Sequence, residues 1–163
     1  MLTLTKLSII TICFNNLDEV KETCRSVDEQ IITPFEHLII NGSTNDEIEK
    51  YFGKADKVSY RKVFNEKDKG IADAFNKGIE RSTGDVILLL NSGDLLYDKN
   101  VVKTVLLQFD KDKNLMWLHG KYRYQRSGLW VTLGKPFDPQ KLYRGMRSLS
   151  HQTMYVRKEL FDK

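Results

Sequence analysis

Apolar residues arrive along this chain in short unbroken runs, separated by stretches in which they recur every three or four positions. That is the rhythm of strands alternating with amphipathic helices. Lys6–Phe14 (KLSIITICF) reads as a first strand. A helix is predicted from Leu17 to about Gln30, with Asn16 as its cap and Glu19 completing a box-like start. Leu17, Val20, Cys24, Val27 and Ile31 then fall at helical spacing. Pro34 interrupts before a second strand, Phe35–Ile40, and the polar turn Asn41–Asp46 leads into a short helix reaching Phe52. Val58–Phe64 supplies a third strand, and Ile71–Ser82 a helix that Gly84 terminates. Val86–Leu90 (VILLL) is apolar at every position, so this fourth strand is expected to be covered on both faces, as in a parallel sheet.

Further on, Val101–Phe109 reads as a helix and Leu115–His119 as a strand. Tyr122–Tyr124 and Leu129–Leu133 read as a hairpin turning through Gln125–Gly128, Pro136–Arg147 as loop, and Thr153–Arg157 as a last short strand. Alternating strands and helices followed by a hairpin predict an α/β fold: a layered α/β/α sandwich whose central sheet is mostly parallel, with antiparallel pairing late in the chain.

With 163 residues and no repeat or linker, the chain reads as one domain, long enough to bury roughly 70% of its unfolded surface. No apolar run approaches the roughly 20 residues that span a bilayer, and no signal peptide opens the chain. Cys13 and Cys24 are too few for a disulfide framework and lack metal-site spacing, so both are expected as buried small hydrophobes. A reducing cytoplasm fits. The net charge of +4 hides an asymmetry, because residues 119–163 carry 10 basic side chains against 3 acidic ones. Lys121, Arg123, Arg126, Lys135, Lys141, Arg144, Arg147, Arg157 and Lys158 therefore suggest either a face for phosphates, in a substrate or in anionic lipid at the inner face of the plasma membrane, or a solvated surface. No nucleic-acid-binding motif accompanies them, which argues against nucleic acid.

Four strand ends deliver polar loops: Phe14-Asn15-Asn16, Asn41-Gly42-Ser43, Asn65 to Lys69, and Asn91 to Asp94. In open α/β sheets ligands collect at such ends, and short polar side chains beside glycines suit a nucleotide. Asp94, next to Gly93, suits a divalent metal holding a diphosphate. Each loop also has a plainer reading. Asn41-Gly42-Ser43 alone is an ordinary turn, Asp68 a solvated loop charge, and Asp73 a first-turn residue favoured by the helix dipole. Asn76 lies one turn from Asp73 on the same face. His119 and His151 could touch phosphate or be structural, and His37 is expected as surface or core filler. Three scattered histidines and two cysteines make no zinc site. The absence of GxGxxG and GxxxxGK[ST] counts against a dehydrogenase and a P-loop ATPase.

Taken together, SIITICFNN, the NGSTN turn from Asn41 to Asn45, DKGIADAFNKGI from Asp68 to Ile79, TGDVILLLNSGD from Thr83 to Asp94 and the His151-Gln152 pair resemble the inverting glycosyltransferases of family 2, which have the GT-A fold. The members meant build bacterial surface polysaccharides. The resemblance implies a nucleotide-sugar donor, in particular a UDP-sugar, and a saccharide or lipid-linked acceptor. Residues 1–94 would form the nucleotide-binding half and residues 95–163 the beginning of the acceptor side. It implies that Thr11, Phe14, Asn15, Asn41, Ser43, Asp68, Gly70, Asp73, Asn91, Ser92 and Gly93 bind the nucleotide and that Asp94 holds Mn²⁺ or Mg²⁺. Asn76, His151 and Gln152 would serve the donor or acceptor side. The chain departs from the pattern where Asn41 and Asn45 replace expected acids, and where Asn91-Ser92-Gly93-Asp94 keeps only its last acid. The family's catalytic base follows the HQ region. Glu159 and Asp162 lie too near that pair, so the base is expected beyond Lys163 and the chain reads as cut short. A sugar nucleotidyltransferase and a non-catalytic nucleotide-sugar-binding fragment remain as alternatives.

Overall fold

The structure, a computed structural model, describes residues 4–55, 58–145 and 149–161; Arg147 and Asp162 lie outside them. The chain alternates β1 (Leu7–Cys13), α1 (Leu17–Asp28), β2 (Glu36–Asn41), α2 (Glu47–Ala55), β3 (Arg61–Asn65), α3 (Ile71–Arg81), β4 (Val86–Asn91) and α4 (Val101–Lys111). There follow β5 (Trp117–His119), the hairpin β6 (Tyr122–Arg126) and β7 (Leu129–Leu133), α5 (Pro139–Tyr143) and β8 (Met154–Arg157). One sheet has the order β3-β2-β1-β4-β8-β5, with β3, β2, β1 and β4 mutually parallel and β8 antiparallel to both β4 and β5. This is the mixed α/β architecture expected. The hairpin forms a separate two-stranded sheet.

Alternation along β1 explains the layers. Leu7, Ile9 and Cys13 point to the face covered by α1, α2 and α4, where they meet Val20, Cys24, Val27, Ile48, Phe52, Val102, Val105 and Phe109. Ile10 and Ile12 point to the other face, against Ala74 and Phe75 of α3. Gly78 lets α3 lie close on β1, since a Cβ there would sit 2.3 Å from Ile10 Cγ2. Both cysteines are buried, and burial, with Cys24 and Asp68 adding to it, pushes the Cys13 thiol up to about 12. His37 is fully buried core, pushed down to about 3 by burial and by neighbouring Arg61.

Four local expectations are corrected. Asn16 makes no capping bond to α1; its carboxamide oxygen accepts from the Phe14 N–H and its Nδ2 donates to Ser92 Oγ instead. Gly84 is not a left-handed helix stop. α3 ends at an extended Ser82, and Gly84 is needed because a Cβ would lie 2.5 Å from Ser8 Oγ and 2.9 Å from the Lys6 carbonyl oxygen. Within the predicted loop 136–147 a short helix forms, because Asp138 accepts from the Gln140 N–H at 3.0 Å and Pro139 follows at the first helical position. The hairpin turn is also tighter than expected. Only Ser127 and Gly128 separate the strands, with φ of 48° and 78°, the left-handed pair that two-residue hairpins require.

At the amino-terminal edge of the parallel strands, Glu36 is 2% exposed and accepts from Ser8 Oγ at 2.8 Å, the Thr83 N–H at 2.6 Å and Lys62 Nζ at 3.1 Å. Burial alone would raise its carboxyl, but these donors outweigh it and leave the group below its ordinary value of 4.5. The linkage follows: a depressed folded value contributes stability above pH 4.5 that is lost as pH falls through it. Glu36→Ala is therefore expected to cost about 2–4 kcal/mol at neutral pH by stranding buried donors. In denaturant titrations, the native protein should lose more stability below pH 4.5 than Glu36→Gln, which cannot titrate.

Candidate functional site

Parallel register puts the polar loops on one edge. Cys13 is level with Asn41, Asn41 with Asn65, and Ile12 with Asn91, so the carboxyl ends of β3, β2, β1 and β4 open together. Because β8 runs antiparallel to β4, its start arrives at the same edge and brings His151-Gln152-Thr153 beside Asn91. Its far end, with Glu159, lies beyond Arg157, which pairs with Val86 at the opposite edge. About five residues of strand separate the two edges, roughly 17 Å.

On the β4 side, Asn91 Nδ2 donates to Asp94 Oδ2 at 3.0 Å and meets His151 Nε2 at 3.2 Å. An amide nitrogen only donates, so His151 Nε2 is the acceptor of this contact. Phe75 supports the ring edge-on at 5.7 Å. The turn itself is held from beneath by Thr23 of α1, whose hydroxyl accepts from the Gly93 N–H at 2.8 Å and donates to the Asp94 carbonyl at 3.0 Å. Gly93 takes φ of 90°, which a side chain would strain.

On the β1–β2 side, Asn15 adopts φ of 52° and clamps the neighbouring loop. Its Oδ1 accepts from the Thr44 N–H at 3.0 Å and the Asn45 N–H at 3.3 Å, its Nδ2 donates to Thr44 Oγ1 at 2.9 Å, and its own N–H donates to Ser43 Oγ at 2.8 Å. Phe14, next to it, is 58% exposed. Asn41 is buried, with Oδ1 accepting from the Ser43 N–H at 3.1 Å and Nδ2 donating to Asn65 Oδ1 at 2.8 Å. Asp68 folds over Gly42, where a Cβ would lie 1.9 Å from its Oδ2, and its Oδ1 accepts from the Gly70 N–H at 2.8 Å. Gly70 then opens α3 at φ 115° and ψ −179°, a region essentially restricted to glycine.

The edge thus gathers Phe14, Asn15, Asn41, Ser43, Asp68 and Gly70 toward one end, and Asn91, Ser92, Gly93, Asp94, His151 and Gln152 toward the other. Thr11 is excluded from the edge. It is fully buried under α1's face of the sheet, with its hydroxyl bonded to His37 Nε2 at 2.9 Å. Asp73 turns back to the Lys69 N–H at 2.9 Å and pairs with Lys77 at 3.3 Å, contacts that hold its carboxyl below the ordinary range. Asn76 is exposed on α3 and not bonded to Asp73, and Gln152 accepts from Ser150 Oγ. His119 sits on β5, stacked on Trp117. Sequence reasoning missed Thr23 as a positioning group and named Asn65 only as the start of a polar loop. For Thr23 the signal was available, since a hydroxyl between Val20 and Val27 on an apolar helix face must find buried partners. An open depression of about 750 Å³ between the starts of α1 and α2 shares only Asn15 and Asn16 with the cluster. Convergence of polar groups, not concavity, therefore marks the site.

Among the described residues no group of three His, Cys, Asp or Glu side chains could cage a metal. Asp94 with the Asn91 and Ser92 side chains is a hard oxygen donor set with one carboxylate. It fits Mg²⁺ or Mn²⁺ in the mode where substrate phosphates and water complete the shell.

Gly42→Ala tests how tightly the loops interlock. The added methyl displaces only the mobile end of Asp68, so stability should fall by less than about 1 kcal/mol. Amide exchange at Gly70 should nevertheless rise, since its acceptor is pushed away; unchanged exchange would show that the loops are not coupled.

Residues 8–163 match the sequence profile of a family described as Glycosyl transferase family 2. An uncharacterized glycosyltransferase of Mycobacterium tuberculosis is 29% identical over 158 residues, covering 96% of this chain and 60% of that protein. One from Rickettsia conorii is 32% identical over 118 residues, 72% of this chain and 19% of its own length. In fold, the chain superposes on a mannosyltransferase of Pyrobaculum calidifontis in complex with GDP-Man and Mn²⁺ with a TM-score of 0.71, at 13% identity over 98% of this chain and 46% of that one. It superposes on S. aureus TarS in complex with UDP-GlcNAc with a TM-score of 0.70, at 19% identity over 96% and 46%. The chain therefore spans no more than 60% of the length of these proteins.

Proposed function

The chain belongs to glycosyltransferase family 2, and from that premise we propose that its strand-end cluster binds a nucleotide-sugar donor, specifically a UDP-sugar, for transfer with inversion to a saccharide or lipid-linked acceptor in polysaccharide assembly. The observation that carries this reading is the single row of polar loops ending in Asp94, with His151 held beside it through Asn91. From β3 to β4 are three strand spacings, roughly 14 Å, room for a nucleoside at one end and its diphosphate at the other. Phe14, Asp68 and Asn65 take the base end, and Asn91, Ser92, Asp94 and His151 the diphosphate end. Residues 1–94 serve as the nucleotide half and residues 95–163 begin the acceptor side of the same domain.

In this reading Asp94 would hold Mn²⁺ or Mg²⁺ together with the donor's phosphates. The ion, when bound, lends Lewis-acid charge neutralisation to the departing nucleoside diphosphate. Asn91 fixes the direction of the Asp94 carboxylate by occupying Oδ2, and Thr23 fixes the backbone of the turn. His151 is held against the same turn through the contact of its Nε2 with Asn91. Glu159 is set aside as the acceptor's base by its position at the opposite edge. UDP titrated by calorimetry should bind at least about tenfold more weakly without Mn²⁺ and in Asp94→Ala. Equal affinities in all three conditions would overturn the assignment.

The hairpin supports a peripheral location at the inner membrane face. Residues 119–137 carry Lys121, Arg123, Arg126 and Lys135 and no acid. Leu129 and Trp130 are 72% and 62% exposed, with the Arg123 guanidinium 4.8 Å from the Trp130 ring. Such aromatic and basic pairing suits an anionic lipid interface. No helix among the described residues is long and apolar enough to cross a membrane. Sedimentation with vesicles containing phosphatidylserine should show binding at low salt that weakens severalfold at high salt and in Trp130→Ala. Salt-independent partitioning would remove the proposal.

A further inference from the structure

Two stacked carboxamides at the ends of β2 and β3 have an order that can be read without ambiguity. Asn41 Oδ1 accepts from the Ser43 N–H at 3.1 Å, a group that can only donate, and this sets which end of the amide is the oxygen. Its Nδ2 must then face Asn65, and only the Asn65 oxygen can accept it, at 2.8 Å. Asn65 is therefore locked with its Nδ2 directed away from Asn41. Asn65 is exposed at the last position of β3, and among the described residues its Nδ2 meets no acceptor. The pair relays orientation from a backbone N–H, through a buried amide, to an exposed hydrogen-bond donor at the base end of the row.

We propose that Asn65 reads the nucleobase, donating from Nδ2 to a ring carbonyl oxygen, and that buried Asn41 is the positioning residue that sets this polarity. Uracil carries an acceptor at its 4-position where cytosine carries an amino donor. The relay therefore selects uridine over cytidine nucleotides. A carboxylate at position 41 would reverse the relay. One oxygen would still take the Ser43 N–H, but the other could only accept, so Asn65 would turn its nitrogen inward and present its oxygen to the base. Asn41 thus acts on the base without touching it.

The inference rests on the site reading of the preceding subsection, and its test separates the two. UDP and CDP affinities are measured by calorimetry on the native chain, on Asn65→Ala, on Asn65→Asp and on Asn41→Asp, and the ratio is compared. The native chain should prefer UDP by about tenfold or more, since CDP would set donor against donor. Asn65→Ala should bring the ratio near one. Asn65→Asp and Asn41→Asp should both move it toward CDP, a change of direction that simple loosening of the loop cannot produce. Near-equal UDP and CDP binding by the native chain, or an unchanged ratio in Asn65→Asp, would overturn the relay while leaving the nucleotide site standing. Failure of the native chain to bind any nucleoside diphosphate, with or without Mn²⁺, would overturn both. A readout independent of ligand comes from side-chain amide exchange. The Asn41 NH₂ protons should be protected and those of Asn65 fast; the reverse order would refute the lock.

Discussion

The parallel register of β1 with β2 on one side and β4 on the other is the constraint on which the rest depends. Every residue of β1 is buried, so both faces of the sheet are committed to apolar packing and polar chemistry is left to the strand ends. Parallel connection then delivers each carboxyl end to the same edge, whatever the intervening helices do. A one-residue slip of β4 would turn Leu88 and Leu90 to the α3 face and carry Asn91 and Asp94 out of line with Asn16 and His151. Core packing and site geometry are thus enforced by the same hydrogen-bond ladder.

That ladder positions strand ends, not the loops beyond them. Loop placement falls to a few polar side chains, buried or exposed, that are each held by several hydrogen bonds. Thr23, completely buried, reaches through α1 to hold the Gly93–Asp94 turn, while Asn15 ties the end of β1 to the loop after β2. Gly42 and Gly78 work by absence, the first admitting Asp68 and the second admitting β1's Ile10. The edge is consequently preorganised, its loops held by contacts that exist without any ligand.

Much of this was legible in the chain. Periodicity located the strands and helices, and the all-apolar VILLL run foretold a strand covered on both faces, because these features depend on local spacing alone. Legibility ended where one residue served two masters. Asn16 carries the composition of a helix cap, yet a partner 76 positions away, Ser92, claims its amide. Thr11, which the resemblance places among the nucleotide ligands, is the partner of a histidine from the adjacent strand. Gly84 fits a helix stop in sequence but answers to the backbone of β1. Such assignments depend on which strands are neighbours, information that spacing within a segment does not contain. The antiparallel return of β8 is of the same kind, and it alone decides that His151 joins the site while Glu159 does not.

The amides along this edge have an electrostatic consequence. Asn41, Asn45, Asn65 and Asn91 give the loops directional hydrogen bonds while adding no charge, so the negative groups that remain are few and specifically held. Each carboxylate omitted spares a bound diphosphate a repulsion of roughly 2 kcal/mol at about 8 Å, taking an effective dielectric constant of about 20. Amides also carry a choice that carboxylates lack, since one end donates and the other accepts. A chain of amides anchored at one backbone N–H therefore transmits a defined polarity to its exposed end, whereas a carboxylate in the same place can only accept. Orientation, more than charge, is what this edge encodes, and Asp94 is left as the point where charge itself is concentrated.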